Sequence, residues 1–404
     1  MTTRAPLPDE TLKGHLVVLG SGPQAEWDHA FHRLASGGPL LLIDDQPPSW
    51  QTSHLAGART ANLLDPSQVL VAAEELARTT AIVGVLNVHA AHSRTAAHLR
   101  HELALPGSAT TLNAGLLRHR TGQLLAAAGV AHSGSLKVDS YSQALEAAHH
   151  VGLPLVCKPA CPRTRHAARQ VANLADLADV FNGALADTSP GTGALIEPLL
   201  DGIEATVYTV DSPEGPRVVA VSHATFDAEA EPALVPVEVV VDADDVCAPA
   251  IEDLACRALD ALGHRFGPAQ IRMRITSEGP QVITISTELI EPLIAMLIEQ
   301  VTGVDLIAQA GQSARGQTSQ SGDVRLGAAA VRFLQGAPDR PLAWEADPRA
   351  HVTPYATLHP YPAARRVGPL QRFGHLLVAG ADYPQCISRL RTAAAELRPT
   401  RLSA

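Results

Sequence analysis

Aromatic residues are scarce in this 404-residue chain, at 3%, so its cores have to be filled by Leu, Val and Ala rather than by large rings. Long apolar runs are missing too. None is long enough to span a bilayer, and the first ten residues hold no apolar signal core, so a cytoplasmic protein with no membrane partner is expected. Basic charge is in deficit, with 31 Lys and Arg against 41 Asp and Glu and a dispersed net charge of -10. Binding a phosphate backbone needs a basic stripe, so nucleic acid is not an expected partner. The five cysteines, Cys157, Cys161, Cys247, Cys256 and Cys386, include no CxxC pair. Cys157 and Cys161 lack a second pair to complete a metal site and read as small buried thiols in a reducing compartment.

Histidine, by contrast, is plentiful, and His89, His92, His98 and His101 have helix-compatible spacings. The carboxylate near them, Glu102, is the neighbour of His101 and is expected to point off that face. A solvated helix face is therefore the reading, rather than a metal site. With 46% hydrophobic and 18% charged residues the chain is globular, and its length implies two to four lobes.

Strands and helices alternate from the start. Gly14-His15-Leu16-Val17-Val18-Leu19-Gly20, Pro39-Leu40-Leu41-Leu42-Ile43-Asp44-Asp45 and Ala81-Ile82-Val83-Gly84-Val85-Leu86 are apolar runs, and residues 67–78 read as a helix before the third. Such alternation implies a parallel sheet with crossover helices. Gly20-Ser21-Gly22 followed by Asp44-Asp45 lacks the third glycine of a dinucleotide fingerprint, and a tight strand-to-helix turn explains it equally well.

Four segments carry chemistry. Arg118 opens a helix that stops at Gly129-Val130. Gly152-Leu153-Pro154-Leu155-Val156-Cys157-Lys158-Pro159 is a strand ending in a lysine, and Cys161 to Val171 follows it as an arginine-bearing loop without glycine. Leu195-Ile196-Glu197-Pro198-Leu199-Leu200-Asp201-Gly202-Ile203-Glu204 sets two acids seven apart around a glycine. Finally, Gln270 to Thr276 and Gly279 to Leu289 alternate as two strands joined by a Ser-Glu-Gly turn.

Together these segments resemble the ATP-grasp superfamily, in particular amino-acid and other carboxylate-amine ligases. Thr302-Gly303-Val304-Asp305-Leu306, the run from Gly327 to Leu334, the run from Gly374 to Asp382 and a closing helix at 384–397 extend the likeness over nearly the whole chain without a repeat or low-complexity break, and Gly311 to Gly322 is expected to be a polar, mobile loop. The resemblance implies an α/β ATP-grasp fold. Its expected parts are an N-terminal Rossmann-like pre-ATP-grasp domain over residues 1–112, a small lobe over 113–196, a large lobe over 197–325 and an α+β segment over 326–404.

The resemblance also implies an ATP site. Lys158 would meet phosphates, Glu197 and the Pro198-Leu199-Leu200 backbone would meet adenine, Glu204 the ribose hydroxyls, and Arg118 would belong to the same cofactor site. Active relatives place a carboxylate on the first strand of the hairpin, then Glu-x-Asn and an Arg on the second, to hold Mg2+. Here those positions read Arg272, Thr284, Ser286 and Glu288, so the usual metal site is replaced, and an Arg272–Glu288 ion pair is expected in its stead. Two readings stay open. One is an active ligase that forms an amide through an acylphosphate, with a metal site rebuilt on Glu288 or Glu291. The other is a catalytically silent nucleotide- or ligand-binding relative, an accessory protein of a biosynthetic pathway. Either implies a small-molecule partner such as an amino acid or carboxylate, and a homodimer or partner enzyme.

Overall fold

The computed structural model describes residues 14–107, 118–163, 167–212, 215–226, 234–243, 249–264, 266–317, 327–336, 342–344, 351–353, 356–367, 370–397 and 399–401. Cys247 and residues 164–166 of the arginine-bearing loop lie outside them.

Strand β1 (His15–Leu19), helix α1 (Gln24–Ser36), strands β2 (Leu40–Asp44) and β3 (Leu55–Thr60), helix α2 (Pro66–Ala77), strand β4 (Ile82–Asn87) and helix α3 (Ser93–Glu102) come first. The strands form a parallel sheet in the order β3-β2-β1-β4. The apolar runs are continuous because both faces are covered. Leu16, Val18, Leu40 and Leu42 pack with Trp27 and Phe31 of α1, while Val17, Leu19, Leu41 and Ile43 pack with Val69 and Leu76 of α2 and Leu99 of α3. Ser21 and Asp44 are consumed by the turn itself, with Ser21 Oγ donating to Asp44 at 2.5 Å.

A second unit follows, with helix α4 (Arg118–Ala127), strand β5 (Leu136–Val138), helix α5 (Tyr141–Val151), strands β6 (Leu155–Pro159) and β7 (Arg169–Val171), helix α6 (Leu177–Ala186) and strand β8 (Ala194–Pro198). Its sheet runs β5-β8-β6-β7, and α5 and α6 cover one face with a core of their own that includes Ala144, Leu155, Phe181 and Ile196.

The largest unit is antiparallel. It begins with β9 (Ile203–Ser212), β10 (Gly215–Phe226), β11 (Pro236–Asp242), helix α7 (Pro249–Ala261), β12 (Ala269–Thr276) and β13 (Gly279–Ser286). Helices α8 (Pro292–Thr302) and α9 (Leu306–Ala314) come next, followed by β14 (Ala328–Gly336), β15 (Leu342–Trp344), β16 (His351–Thr353), β17 (Ala356–Val367), β18 (Leu370–Gly380), helix α10 (Tyr383–Glu396) and β19 (Pro399–Arg401). Nine strands join in the order β13-β12-β9-β10-β11-β14-β18-β17-β16, and β15 pairs with β19 apart from them. Helices α8 and α9 lie between this sheet and the parallel one. Ile298 and Ile307 share one core with Leu16 and Phe31 on one side and Val210 and Val331 on the other. Helix α7 covers the β9–β12–β13 end, and α10 the β14–β18–β17 end.

Two local expectations change. Gly311 to Ala314 is the last turn of α9 rather than loop, because Asp305 caps that helix by accepting from the Ile307 and Ala308 amides, at 3.0 and 2.9 Å, and Ser313 Oγ reaches Asp211 at 2.6 Å. Nor do the four histidines share one solvated face. His92 is buried beside His89 before α3 begins, and Glu102 lies 3.9 Å from His98, one turn back. Among the described residues no single helix is long and apolar enough to cross a membrane.

Candidate functional site

The β6–β8 pairing builds one wall of a groove. Successive side chains on a strand point to opposite faces. Cys157 therefore enters the α5–α6 core, where burial pushes its thiol up to about 12, while Val156 and Lys158 face the groove. Lys158 is registered opposite Leu195, which leaves Glu197 as its diagonal neighbour on the same face. The Lys158 ammonium lies 2.6 Å from Glu197 Oε2, with the two side chains only 4% and 6% exposed. Ser133 Oγ donates to the same oxygen at 3.3 Å.

The opposite wall supplies a third partner. In the β12–β13 ladder Arg272 pairs with Thr284 and Met273 with Val282, so Ile283 bulges out of register. Lys158 Nζ donates to the carbonyl of Ile283 at 3.4 Å. Burial pushes the Lys158 ammonium below its ordinary value; Glu197 opposes the shift, and the Arg118 and Arg272 charges reinforce it. Arg118 itself, donating to the Pro159 carbonyl at 3.5 Å, is pushed down by burial, against Glu197 and with Arg272.

Strand β9 brings in the second acid. Gly202 has φ +120°, and a Cβ there would sit 2.1 Å from the carbonyl oxygen of Ile275, so only glycine lets β9 start hard against β12. Glu204 is registered opposite Arg274, and Arg272, two residues earlier on β12, shares that face. The nearly buried Glu204 carboxylate takes both: Oε1 accepts from Arg272 Nε at 3.0 Å and Nη2 at 2.5 Å, and Oε2 from Arg274 Nη2 at 3.2 Å. Arg274 Nη1 donates to the Gly202 carbonyl at 3.2 Å.

The expected Arg272–Glu288 pair is therefore not formed. The sheet order sets β9 beside β12, which puts Glu204 within reach of Arg272, while Glu288 lines a separate pocket with Thr287, His264 and Arg100. Thr284 is on the groove wall, and Ser286, at the end of β13 opposite Gln270, is not among its lining residues. Glu291, the other acid considered for a rebuilt metal site, lies 3.9 Å from Arg372. Among the described residues no group of three or more His, Cys, Asp or Glu side chains is arranged to hold a metal ion.

The groove between the walls encloses about 650 Å3, open solvent included. Lys158, Arg118, Glu197, Pro198, Leu199, Leu200 and Glu204 all line it, with Val156, Leu234 and Ile283 as apolar surface. No protein-family model matches the chain, and no curated protein sequence matches it. Solved structures do. The crystal structure of an L-amino acid ligase from Bacillus licheniformis superposes with a TM-score of 0.79 at 16% identity, covering 97% of this chain and 99% of that one. N5-carboxyaminoimidazole synthetase from Staphylococcus aureus, complexed with ADP, gives 0.73 at 14% identity over 95% and 98%. Biotin carboxylase from Campylobacter jejuni, in a β,γ-ATP complex, gives 0.69 at 14% over 97% and 93%. The chain has the ATP-grasp fold.

Within this fold the residues expected at the nucleotide site converge on one groove, but they omit three of its parts. Arg274 carried a legible signal, since its spacing of two from Arg272 puts both on one strand face. Ser133 and the Ile283 carbonyl carried none. The first lies in the segment whose Ser133 amide donates to the Val282 carbonyl at 2.9 Å, and the second depends on a bulge that no residue type announces.

Proposed function

We propose that the groove binds an adenine nucleotide and that the protein is a nucleotide-binding member of the carboxylate-amine ligase class. The observation that carries this reading is the convergence of Lys158, Glu204 and the Pro198-Leu199-Leu200 segment on one apolar-walled groove. The half-buried Pro198-Leu199-Leu200 segment, beside Val156 and Leu234, gives apolar surface that suits a purine, and a dry ammonium suits phosphate oxygens. Here Glu197 orients the lysine. Its Oε2 is already engaged by Lys158 and Ser133, so adenine would meet the remaining Glu197 oxygen and the backbone of residues 198–200. Glu204 has one acceptor position remaining, on Oε2, because three of its four lone-pair sites are taken by the arginines. With both arginines in place it has room for one ribose hydroxyl. Two of the similar structures, complexes with ADP and β,γ-ATP, support the nucleotide class, and the amino acid ligase supports a small amino acid or carboxylate as second ligand.

Calorimetric titration with ADP and adenosine tests this reading. The parent binds both. Lys158→Met loses one charge-assisted contact to phosphate, about 1.5–3 kcal/mol or roughly ten- to a hundredfold in ADP affinity, with adenosine unchanged. Absence of ADP binding by the parent overturns the proposal, as do equal losses for both ligands in a variant with a native circular dichroism spectrum.

A further inference from the structure

The metal expected of an ATP-grasp fold does not suit this groove. Mg2+ takes oxygen ligands in near-octahedral array and is held through carboxylates. The positions that would supply them hold Arg272, Thr284 and Ser286. Of the groove's two acids, Glu197 is engaged by Lys158 and Glu204 by both Arg272 and Arg274. A guanidinium cannot lose its proton and adds fixed positive charge where a dication would have to sit.

The charge balance points the same way. Four cationic side chains, Arg118, Lys158, Arg272 and Arg274, line the groove against two carboxylates, Glu197 and Glu204, with Glu288 acting on Arg118 from outside the lining. The surplus is positive, on walls that are partly dry, where fixed charge acts on a ligand more strongly than it does in water. We infer that the groove takes its nucleotide as the metal-free polyphosphate, with the Arg272 guanidinium standing in for the divalent cation. Planar guanidinium groups match phosphate oxygens in bidentate fashion. Arg272, 30% exposed at its side chain, is the group with room to turn from Glu204 towards a phosphate, while Arg274 keeps the acid paired. Chelation by Mg2+ lowers the charge of the polyphosphate, so it weakens binding here, the reverse of an ordinary ATP-dependent ligase.

This inference rests on the adenine-nucleotide reading. It is tested on the parent protein by measuring the ATP Kd in excess EDTA and in excess Mg2+, with adenosine as the phosphate-free control. Equal ATP affinity in the two conditions overturns it, and ATP binding that is tighter in EDTA than in Mg2+ supports it. So does a loss of roughly tenfold in ATP affinity in Arg272→Met, with adenosine unchanged and with Arg272→Lys retaining part of the affinity. ATP binding that requires Mg2+ overturns it and leaves the nucleotide reading standing. Failure of both ATP and adenosine to bind in either condition removes the nucleotide reading and the inference with it.

Discussion

The two acids of the groove, seven residues apart in sequence, are both paired with cations but differ in how many and how exposed those cations are. Glu197 meets one ammonium, with both partners nearly dry. Glu204 is equally buried but meets two guanidinium groups that reach further into solvent, at 30% and 13% exposure. A dry one-to-one pair is poised near neutrality and is costly to break. A two-to-one cluster carries a standing positive charge and can release one partner without orphaning the acid. The first arrangement fixes a side chain in place, and the second leaves one free to act on a ligand.

The largest expected effect tests the rigid end. Glu197→Ala strands the Lys158 ammonium in a dry site and should lower stability by about 3–5 kcal/mol, read from chemical denaturation. The double variant Lys158→Met/Glu197→Leu should recover most of that loss, and a single-variant cost below about 1 kcal/mol would show that the pair is effectively solvated. At the adaptable end, Glu204→Gln keeps the shape but weakens three charged hydrogen bonds. A smaller loss, at the lower end of about 1.5–3 kcal/mol, is expected, together with a rise in the ratio of ATP to adenosine affinity as both arginines are released. A fall in that ratio would mean that the arginines do not reach phosphate.

The smallest effect concerns His132, beside the rigid end. Burial holds its pKa below 6.5, with Glu197 opposing, and its Nδ1 accepts from the Gly134 amide at 3.0 Å, a bond that the protonated ring loses. The unfolded chain therefore binds the proton more readily than the fold does. The contribution of His132 to stability is complete above pH 6.5 and falls away as the pH drops through its folded value. His132→Asn should flatten that acid limb in denaturation curves measured across this range; an unchanged slope would assign it to other groups.

Much of this was legible because the signals are local. Gly152 to Pro159 fixes a strand whose alternation presents Lys158 and hides Cys157, and Gly202 between Glu197 and Glu204 marks the close approach of two strands. What was not legible depends on non-local pairing. Arg272 meets Glu204 rather than Glu288 because β12 lies between β9 and β13, and a hairpin read alone shows only its own two strands. Likewise His92 looks like a helix-face residue by spacing, yet tertiary packing against Gly20 buries it.

The groove also carries its own chemical label. Of the 31 basic side chains only three are lysines, Lys13, Lys137 and Lys158. Lys137 stands partly exposed against Asp139 at 2.5 Å, while Lys158 is almost fully buried. Biosynthetic isotopic labelling of lysine would therefore mark very few positions, one of them inside the groove, and its resonance would report directly on the charge that a ligand brings within reach of Lys158.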